Sequence, residues 1–162
     1  MRDESNIGFS VLISVILAGL LFQATHAFEL RVIMPRLLEL CVCYWVLSSP
    51  RRIGIIFAFS VGILISLIEG SLVGASSMGL SVVAYVLLNN IYTIRQLDWI
   101  SQTAVIFLLI GIAVALQRVV LGAVGVPSDG LAYLIAVLIS ALLWRPFNML
   151  IDTARFRIGQ LL

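Results

Sequence analysis

The sequence predicts an all-α integral membrane protein, a single domain over residues 1–162 with six transmembrane helices. Hydrophobic residues make up 62% of the chain and charged residues 11%, and its mean hydropathy is +1.16. A soluble domain is roughly half apolar and about a quarter charged, so this chain cannot cover its own surface in water. Its 162 residues allow about six spans of ~20 residues with tight loops.

The predicted spans are apolar runs separated by short polar or turn-forming segments. They are Ile7 to Phe28, Leu37 to Ser49, Ile53 to Glu69, Ala75 to Ile94, Trp99 to Val120 and Leu131 to Ile151. We expect Arg145-Pro146 to break the last span late, because proline removes a helical hydrogen bond. A signal peptide cut after Ala27 is an alternative for the first span. The apolar run is long for a signal peptide, however, and the residues before it are not clearly basic.

A hydrophobic hairpin organises this prediction. A turn opens it at Pro50, Arg51 and Arg52, and Gly70 and Gly74 close it. Between these turns the third span carries Gly62 and Ser66, four residues apart on one helical face. Small residues at this spacing, with Gly79 and Ser81 on the fourth span, let helices approach closely in lipid. We therefore expect these faces to serve helix packing, including packing against another membrane protein.

The arginines predict the orientation. With a cytoplasmic N-terminus, the inner side carries Arg2, Arg51, Arg52, Arg95, Arg155 and Arg157, and the outer side carries Arg31, Arg36 and Arg118. Loops rich in arginine stay in the cytoplasm, so both termini are expected there. Trp45, Trp99 and Trp144 would then all lie near the inner interface, where aromatic rings concentrate.

Ionisable residues at membrane depth are candidates for function, and here they are Glu39, Glu69, Arg118 and Arg145. Glu69 ends a helix, where the helix dipole disfavours negative charge, so it needs a partner or an aqueous surface. Arg118 and Arg36 are the expected cations. A structural ion pair, a binding pocket and proton or ion transport all remain open for this group.

A second polar group lies on the last span, where Arg145, Asn148 and Asp152 follow at i, i+3 and i+7. This spacing places them on one face of a helix, near the inner leaflet in the predicted orientation. The stripe either snorkels towards the interface and makes an internal polar contact, or meets a partner helix.

No motif for catalysis, a cofactor or a metal occurs in the sequence. Cys41 and Cys43 are two apart on a helix, do not face each other and lack ligand partners at metal spacing, so they are interpreted as apolar core residues. No basic run is dense enough for nucleic acid. We therefore expect a protein that is not an enzyme and that has no cofactor.

About a third of the chain resembles a known family, the bacterial rod shape-determining protein MreD. The matching residues are Pro35, Leu37, Leu38, Tyr44, Trp45, Pro50, Arg52, Gly54, Phe59, Gly62, Leu67, Ile68, Gly70, Ser71, Gly74, Leu80, Ser81, Ala84 and Tyr85. The family usually has an aspartate where this chain has Ser66. Glu69 lies three residues on, on the same face, and its longer side chain can reach back one turn.

The resemblance implies a bundle similar to the six-helix S components of energy-coupling-factor transporters. It implies a scaffold that binds the single-span protein MreC in the bacterial inner membrane. Through MreC it implies association with RodA, a class B penicillin-binding transpeptidase, RodZ and MreB, in support of lateral peptidoglycan synthesis and rod shape. The main alternative is a true S component that binds a vitamin, and a second is a small transporter or channel subunit.

Overall fold

The computed structural model describes residues 11, 14–19, 36–50, 53–125 and 133–161. Within these ranges every regular element is an α-helix. Residues 14–19 are helical and fall inside the first predicted span. The other helices are α1 (Leu37–Ser48), α2 (Ile55–Glu69), α3 (Ala75–Asn89), α4 (Ile91–Gln96), α5 (Trp99–Ala123) and α6 (Tyr133–Leu161).

Helix α1 is the centre of the bundle. Every residue from Leu38 to Leu47 is buried, and α1 contacts α2, α3, α5 and α6. A helix that is apolar on all sides has no face suited to water, so it is stable where other helices surround it. The second predicted span is therefore the core of the molecule.

Two glycines set the distances between α3 and its neighbours. At Gly62 of α2, an added Cβ atom would lie 2.7 Å from the backbone nitrogen of Ser77 on α3. At Gly79 of α3, it would lie 2.5 Å from the carbonyl oxygen of Ala113 on α5. Only glycine allows such close backbone approach, so α3 is held tightly between α2 and α5.

The hairpin turn between α2 and α3 has the geometry that its glycines predict. Gly70 has a φ of 62° and Gly74 a φ of 99°, both in the region that favours glycine. The amide of Ser71 donates to the carbonyl of Ser66 (2.9 Å), and the amide of Gly70 donates to that of Leu67 (3.3 Å). This pair of bonds is a Schellman motif, which satisfies carbonyls at the end of α2.

Two expected helix limits are corrected by the structure. The fourth span does not run unbroken to Ile94, because α3 ends at Asn89 and the short helix α4 begins at Ile91. The last span is not broken at Arg145-Pro146: α6 continues through Pro146 to Leu161. Membrane helices tolerate proline because their surroundings compensate for the lost hydrogen bond.

Helix lengths and exposed surfaces identify an all-α membrane protein. Among the described residues, Trp99–Ala123 and Leu134–Thr153 are long and apolar enough to cross a membrane. Helices α1, α2 and α3 are also apolar but shorter. Large apolar side chains point outwards, including Ile56 at 84% exposure and Leu142 at 77%. This outer surface suits acyl chains rather than water.

Candidate functional site

A polar cluster joins four helices at one end of the bundle. Arg36 directly precedes α1, Glu39 lies in the first turn of α1, and Glu69 is the last residue of α2. Gln117 comes from α5 and Ser140 from α6. We call these five residues the Arg36 cluster.

One guanidinium nitrogen is the centre of this cluster. Nη1 of Arg36 donates to Oε1 of Glu39 at 2.6 Å and to Oε1 of Gln117 at 3.2 Å. It lies 3.9 Å from Oε1 of Glu69. The Gln117 amide closes the network, because its Nε2 donates to Oε2 of Glu69 at 2.9 Å. Arg36 therefore neutralises carboxylates from two different helices.

Ser140 fixes the backbone of Arg36. The amide of Arg36 donates to Oγ of Ser140 at 2.7 Å, and the Ser140 hydroxyl donates to the carbonyl of Ala136 at 2.7 Å. The first amides of a helix have no partner inside the helix, so a buried hydroxyl from α6 supplies one next to α1. A side chain of α6 thereby holds the start of α1 in place.

The electrostatics of the cluster explain its composition. Glu39 is at the positive end of α1 and is favoured there, whereas Glu69 is at the negative end of α2 and is disfavoured. Arg36 compensates for the position of Glu69, and the charge of Arg118 also acts on that carboxylate. Each charged side chain in the cluster is partnered, so its geometry serves to hold helices together.

Of the two cations expected for Glu69, Arg118 and Arg36, the structure places Arg36 at ion-pair distance. Gln117 and Ser140 were not among the predicted site residues. Gln117 gave a signal that could have been used, because an amide in an apolar helix needs hydrogen-bond partners. Ser140 gave a weaker one, since a serine hydroxyl can bond within its own helix.

A second polar site lies at the opposite end of the bundle. It is a groove of about 280 Å³, lined by Tyr44, Leu47, Ser48, Arg95, Gln102, Trp144, Asn148 and Asp152. We call it the Tyr44–Asp152 groove, after the hydrogen bond that the Tyr44 hydroxyl donates to Asp152. Arg95 donates to the carbonyls of Leu47 and Ser48, which lack helical partners at the end of α1.

The predicted polar stripe divides between two environments. Asn148 and Asp152 line the groove. Arg145 instead places its Cζ atom 5.1 Å from the ring centre of Trp99, within the range of a cation–π contact. The stripe therefore makes internal contacts on α1 and α5.

The neighbouring residues Tyr44 and Trp45 make contacts with different parts of the bundle. Tyr44 lines the groove, while the indole nitrogen of Trp45 donates to the hydroxyl of Ser14 at 2.7 Å. Their rings meet edge to face, with centroids 5.4 Å apart. Trp45 therefore connects the central helix to the first predicted span.

The other predicted site residues form packing and turns. Gly62 and Ser66 are buried, with Gly62 against α3, and Gly70 and Gly74 form the hairpin turn. Pro50 lies in a turn after α1, and Arg51 and Arg52 are outside the described residues.

Both cysteines, Cys41 and Cys43, are buried and free, which confirms that they are core residues without a mutual disulfide. Across the described residues, no group of three or more His, Cys, Asp or Glu side chains is placed to hold a metal ion.

Comparison with known proteins identifies the family. A family model described as rod shape-determining protein MreD matches residues 3–154. The rod shape-determining protein MreD of Haemophilus influenzae is 28% identical over 102 residues, which cover 63% of this chain and 63% of that protein. The match thus spans slightly less than two thirds of the curated relative. No solved structure matches the chain significantly. The match over nearly the whole length shows that this chain belongs to the MreD family of rod shape-determining proteins.

Proposed function

We propose that this protein is a non-enzymatic membrane scaffold that supports rod shape by binding MreC. The observation that carries the proposal is the family match over residues 3–154, which supports a role in rod shape determination. MreC as the partner comes from the resemblance to the family. So do the further links to RodA, a class B penicillin-binding transpeptidase, RodZ and MreB, and to lateral peptidoglycan synthesis.

The side-chain contacts support a packing role. In the Arg36 cluster, Arg36 forms ion pairs with carboxylates of α1 and α2. The carboxylate of α2 also accepts a hydrogen bond from Gln117 of α5. The hydroxyl of Tyr44 is joined to Asp152 across α1 and α6. Polar groups that form hydrogen bonds or ion pairs between helices stabilise one arrangement of those helices. Such a bundle presents a fixed apolar outer surface to another membrane helix, where close packing drives association.

We further propose six spans in the bacterial inner membrane, a fold similar to S components, and cytoplasmic termini. The two polar ends support this topology. Gln102 in the groove and Gln117 in the Arg36 cluster are fifteen residues apart on α5, or about 22 Å along the helix. Trp99 and Trp144 both lie at the groove end, together with Arg95. Aromatic residues concentrate at both membrane interfaces, and an excess of arginine in the loops is typical of the cytoplasmic side.

Co-purification with MreC tests the scaffold proposal. Two exposed apolar faces are compared: Phe59 and Tyr85 on the α2–α3 hairpin, and Phe107 and Leu142 on α5 and α6. Each pair is changed to alanine in tagged protein from native membranes. One pair should lower MreC recovery strongly while the other leaves it unchanged, because side chains at the centre of an interface carry most of its energy.

The two alanine pairs serve as controls for each other, since both lie on the outer surface and both remove apolar area. Cells that depend on the affected variant should lose rod shape although the protein is made at normal level. The proposal is abandoned if no MreC-like protein co-purifies with the unmodified chain while the purified chain retains a small ligand at stoichiometric occupancy.

A further inference from the structure

Two residues that line the Tyr44–Asp152 groove carry polar atoms that the described part of the bundle does not use. Within the described part of the chain, Nε1 of Trp144 and Oδ1 of Asn148 are buried without a hydrogen-bond partner. Trp144 is only 2% exposed. A buried polar group without a partner destabilises the folded state, because it has lost its hydrogen bonds to water. This donor and this acceptor belong to two residues that line the same groove, so a ligand that reaches both atoms must have both functions.

The charged residues of the groove point to a zwitterion. Arg95 uses Nε and Nη2 on the carbonyls of α1, which leaves Nη1 to bind an anion. Asp152 accepts from Tyr44 through Oδ1, which leaves Oδ2 to accept from a cation. The lining thus carries one positive and one negative side chain, and a ligand with one charge of each sign complements it.

The position and size of the groove point to a lipid headgroup. The apolar span of α5 begins at Trp99, and that of α6 ends at Thr153, so the groove lies where the apolar helices meet the interface. Arg145 stacked on Trp99 marks the same level, as expected of aromatic belts at headgroup depth. At about 280 Å³, the groove is just below the roughly 300–1,000 Å³ of sites for larger small molecules.

We propose that the groove binds the headgroup of a zwitterionic phospholipid with a primary ammonium. Arg95 and the Trp144 indole N–H bind the phosphate, and Asn148 and Asp152 accept from the ammonium. A trimethylated ammonium has no N–H to donate, so phosphatidylcholine would leave Asn148 unpartnered. This inference requires only that the chain lies in a membrane, and it is independent of MreC binding.

Defined phospholipids added to the purified full-length chain test this proposal. Bound lipid is counted by native mass spectrometry, and the thermal unfolding midpoint is followed in parallel. Phosphatidylethanolamine should bind roughly tenfold more tightly than phosphatidylcholine, the loss expected for a hydrogen bond from a charged group. Soluble phosphoethanolamine is a separate arm: if it competes, the ligand source includes free headgroup compounds, and if it fails, the source is the bilayer.

Three variants locate the binding site. Asn148→Leu and Trp144→Phe should each reduce phosphatidylethanolamine binding, and Asp152→Asn should shift preference towards the anionic phosphatidylglycerol while keeping an acceptor for Tyr44. Arg145→Gln is the matched control, since Arg145 is on the same helix but stacks on Trp99 outside the groove. It should bind as the unmodified chain does.

Equal affinity for all three phospholipids would overturn the proposal, as would unchanged binding in folded Asn148→Leu protein. If Trp144→Phe does not fold, Asn148→Leu and the comparison of lipids on the unmodified chain still decide. A structure in lipid nanodiscs with a protein segment filling the groove would also overturn it.

Discussion

At the scale of single residues, Arg36 connects side chains from several helices. One of its nitrogens serves Glu39, Gln117 and Glu69, and its backbone amide binds Ser140. A buried carboxylate that loses its cation remains desolvated without compensation. The stability of the bundle should therefore depend on this side chain more than on either acid alone.

We expect Arg36→Gln to lower the free energy of unfolding by about 3 kcal/mol, the cost of breaking a buried ion pair from one side. Glutamine keeps a donor for Glu39 but removes the charge that both carboxylates share. The double variant Arg36→Gln, Glu69→Gln should lose less than the sum of the single changes, because the residues are coupled. Chemical unfolding in mixed micelles measures each value.

Arg118→Gln is the control for this prediction, because Arg118 was the other cation expected to pair with Glu69. Its loss should cost less than the loss of Arg36, since Arg36 lies in direct ion-pair distance of Glu69. A larger loss of unfolding free energy for Arg118→Gln than for Arg36→Gln would mean that Arg118, and not Arg36, is the main cation for Glu69.

At the scale of helices, close backbone contact depends on the glycines that face a neighbour. The three glycines Gly62, Gly79 and Gly111 all lie within helices, but only Gly62 and Gly79 face the backbone of another helix. An added Cβ at Gly111 would meet no atom within 4 Å. This contrast gives an internal control for helix packing in the same protein.

We expect Gly62→Ala to destabilise the hairpin, because its Cβ would lie 2.7 Å from the backbone nitrogen of Ser77 and the helices must separate. Gly111→Ala should be neutral or stabilising by roughly 0.5–1 kcal/mol, since alanine is the better helix former. Gly62→Leu should be worse than Gly62→Ala. The folded yield and the thermal midpoint distinguish these variants, and equal behaviour of Gly62→Ala and Gly111→Ala would contradict the packing described.

The hairpin turn gives a separate prediction at this scale. Gly70 has a φ of 62°, and an added Cβ atom there would meet nothing within 4 Å, so substitution is opposed by backbone conformation alone. Gly70→Ala should cost about 1 kcal/mol, and Gly70→Asn should cost less because asparagine tolerates this region better. Thermal unfolding compares the two variants, and a larger loss for asparagine would indicate a steric constraint instead.

Helix positions were predictable from the sequence because a long apolar run in lipid must satisfy its own backbone hydrogen bonds, and a helix does so. Leu37 and Ala75 begin helices as expected, and the glycine turn closes the hairpin. The centrality of α1 was not predictable, because α1 is less apolar than α2 and hydropathy alone does not distinguish a central helix from an outer one. Continuity through Pro146 depends on surrounding helices that no local pattern reveals.

The polar sites were predictable only in part. The need of Glu69 for a cation follows from its place at a helix end, and Arg36 was one of two cations expected. Gln117 and Ser140 meet Arg36 across 81 and 104 residues of sequence. Such contacts are set by how the helices pack, and local spacing carries no information about them.

At the scale of the whole molecule, the two polar ends define an axis through the bundle. The Arg36 cluster lies where α2 ends, and the Tyr44–Asp152 groove lies where α5 begins. In the proposed topology the cluster is on the outer side and the groove on the cytoplasmic side. The distribution of arginines favours that assignment.

Reporter fusions test the topology. Fusions at Ser71, in the turn after α2, and at Ser128, which is outside the described residues, should both report a periplasmic location. Fusions after Asp98 should report the cytoplasm, because Arg95 and Trp99 lie at the opposite end. A cytoplasmic signal at Ser71 or Ser128 would contradict the hairpin as proposed.

The lengths of α2 and α3 have a consequence for the surrounding bilayer. Each has 15 residues and measures about 22 Å, whereas a typical hydrocarbon core is about 30 Å thick. Helix α5, with 25 residues, is long enough for that thickness. In the proposed topology the molecule is thus thin on its hairpin side, and the lipids there must compress. Hydrophobic mismatch of this kind favours association, so a neighbouring membrane helix that covers the hairpin would relieve the deformation as well as gain contacts.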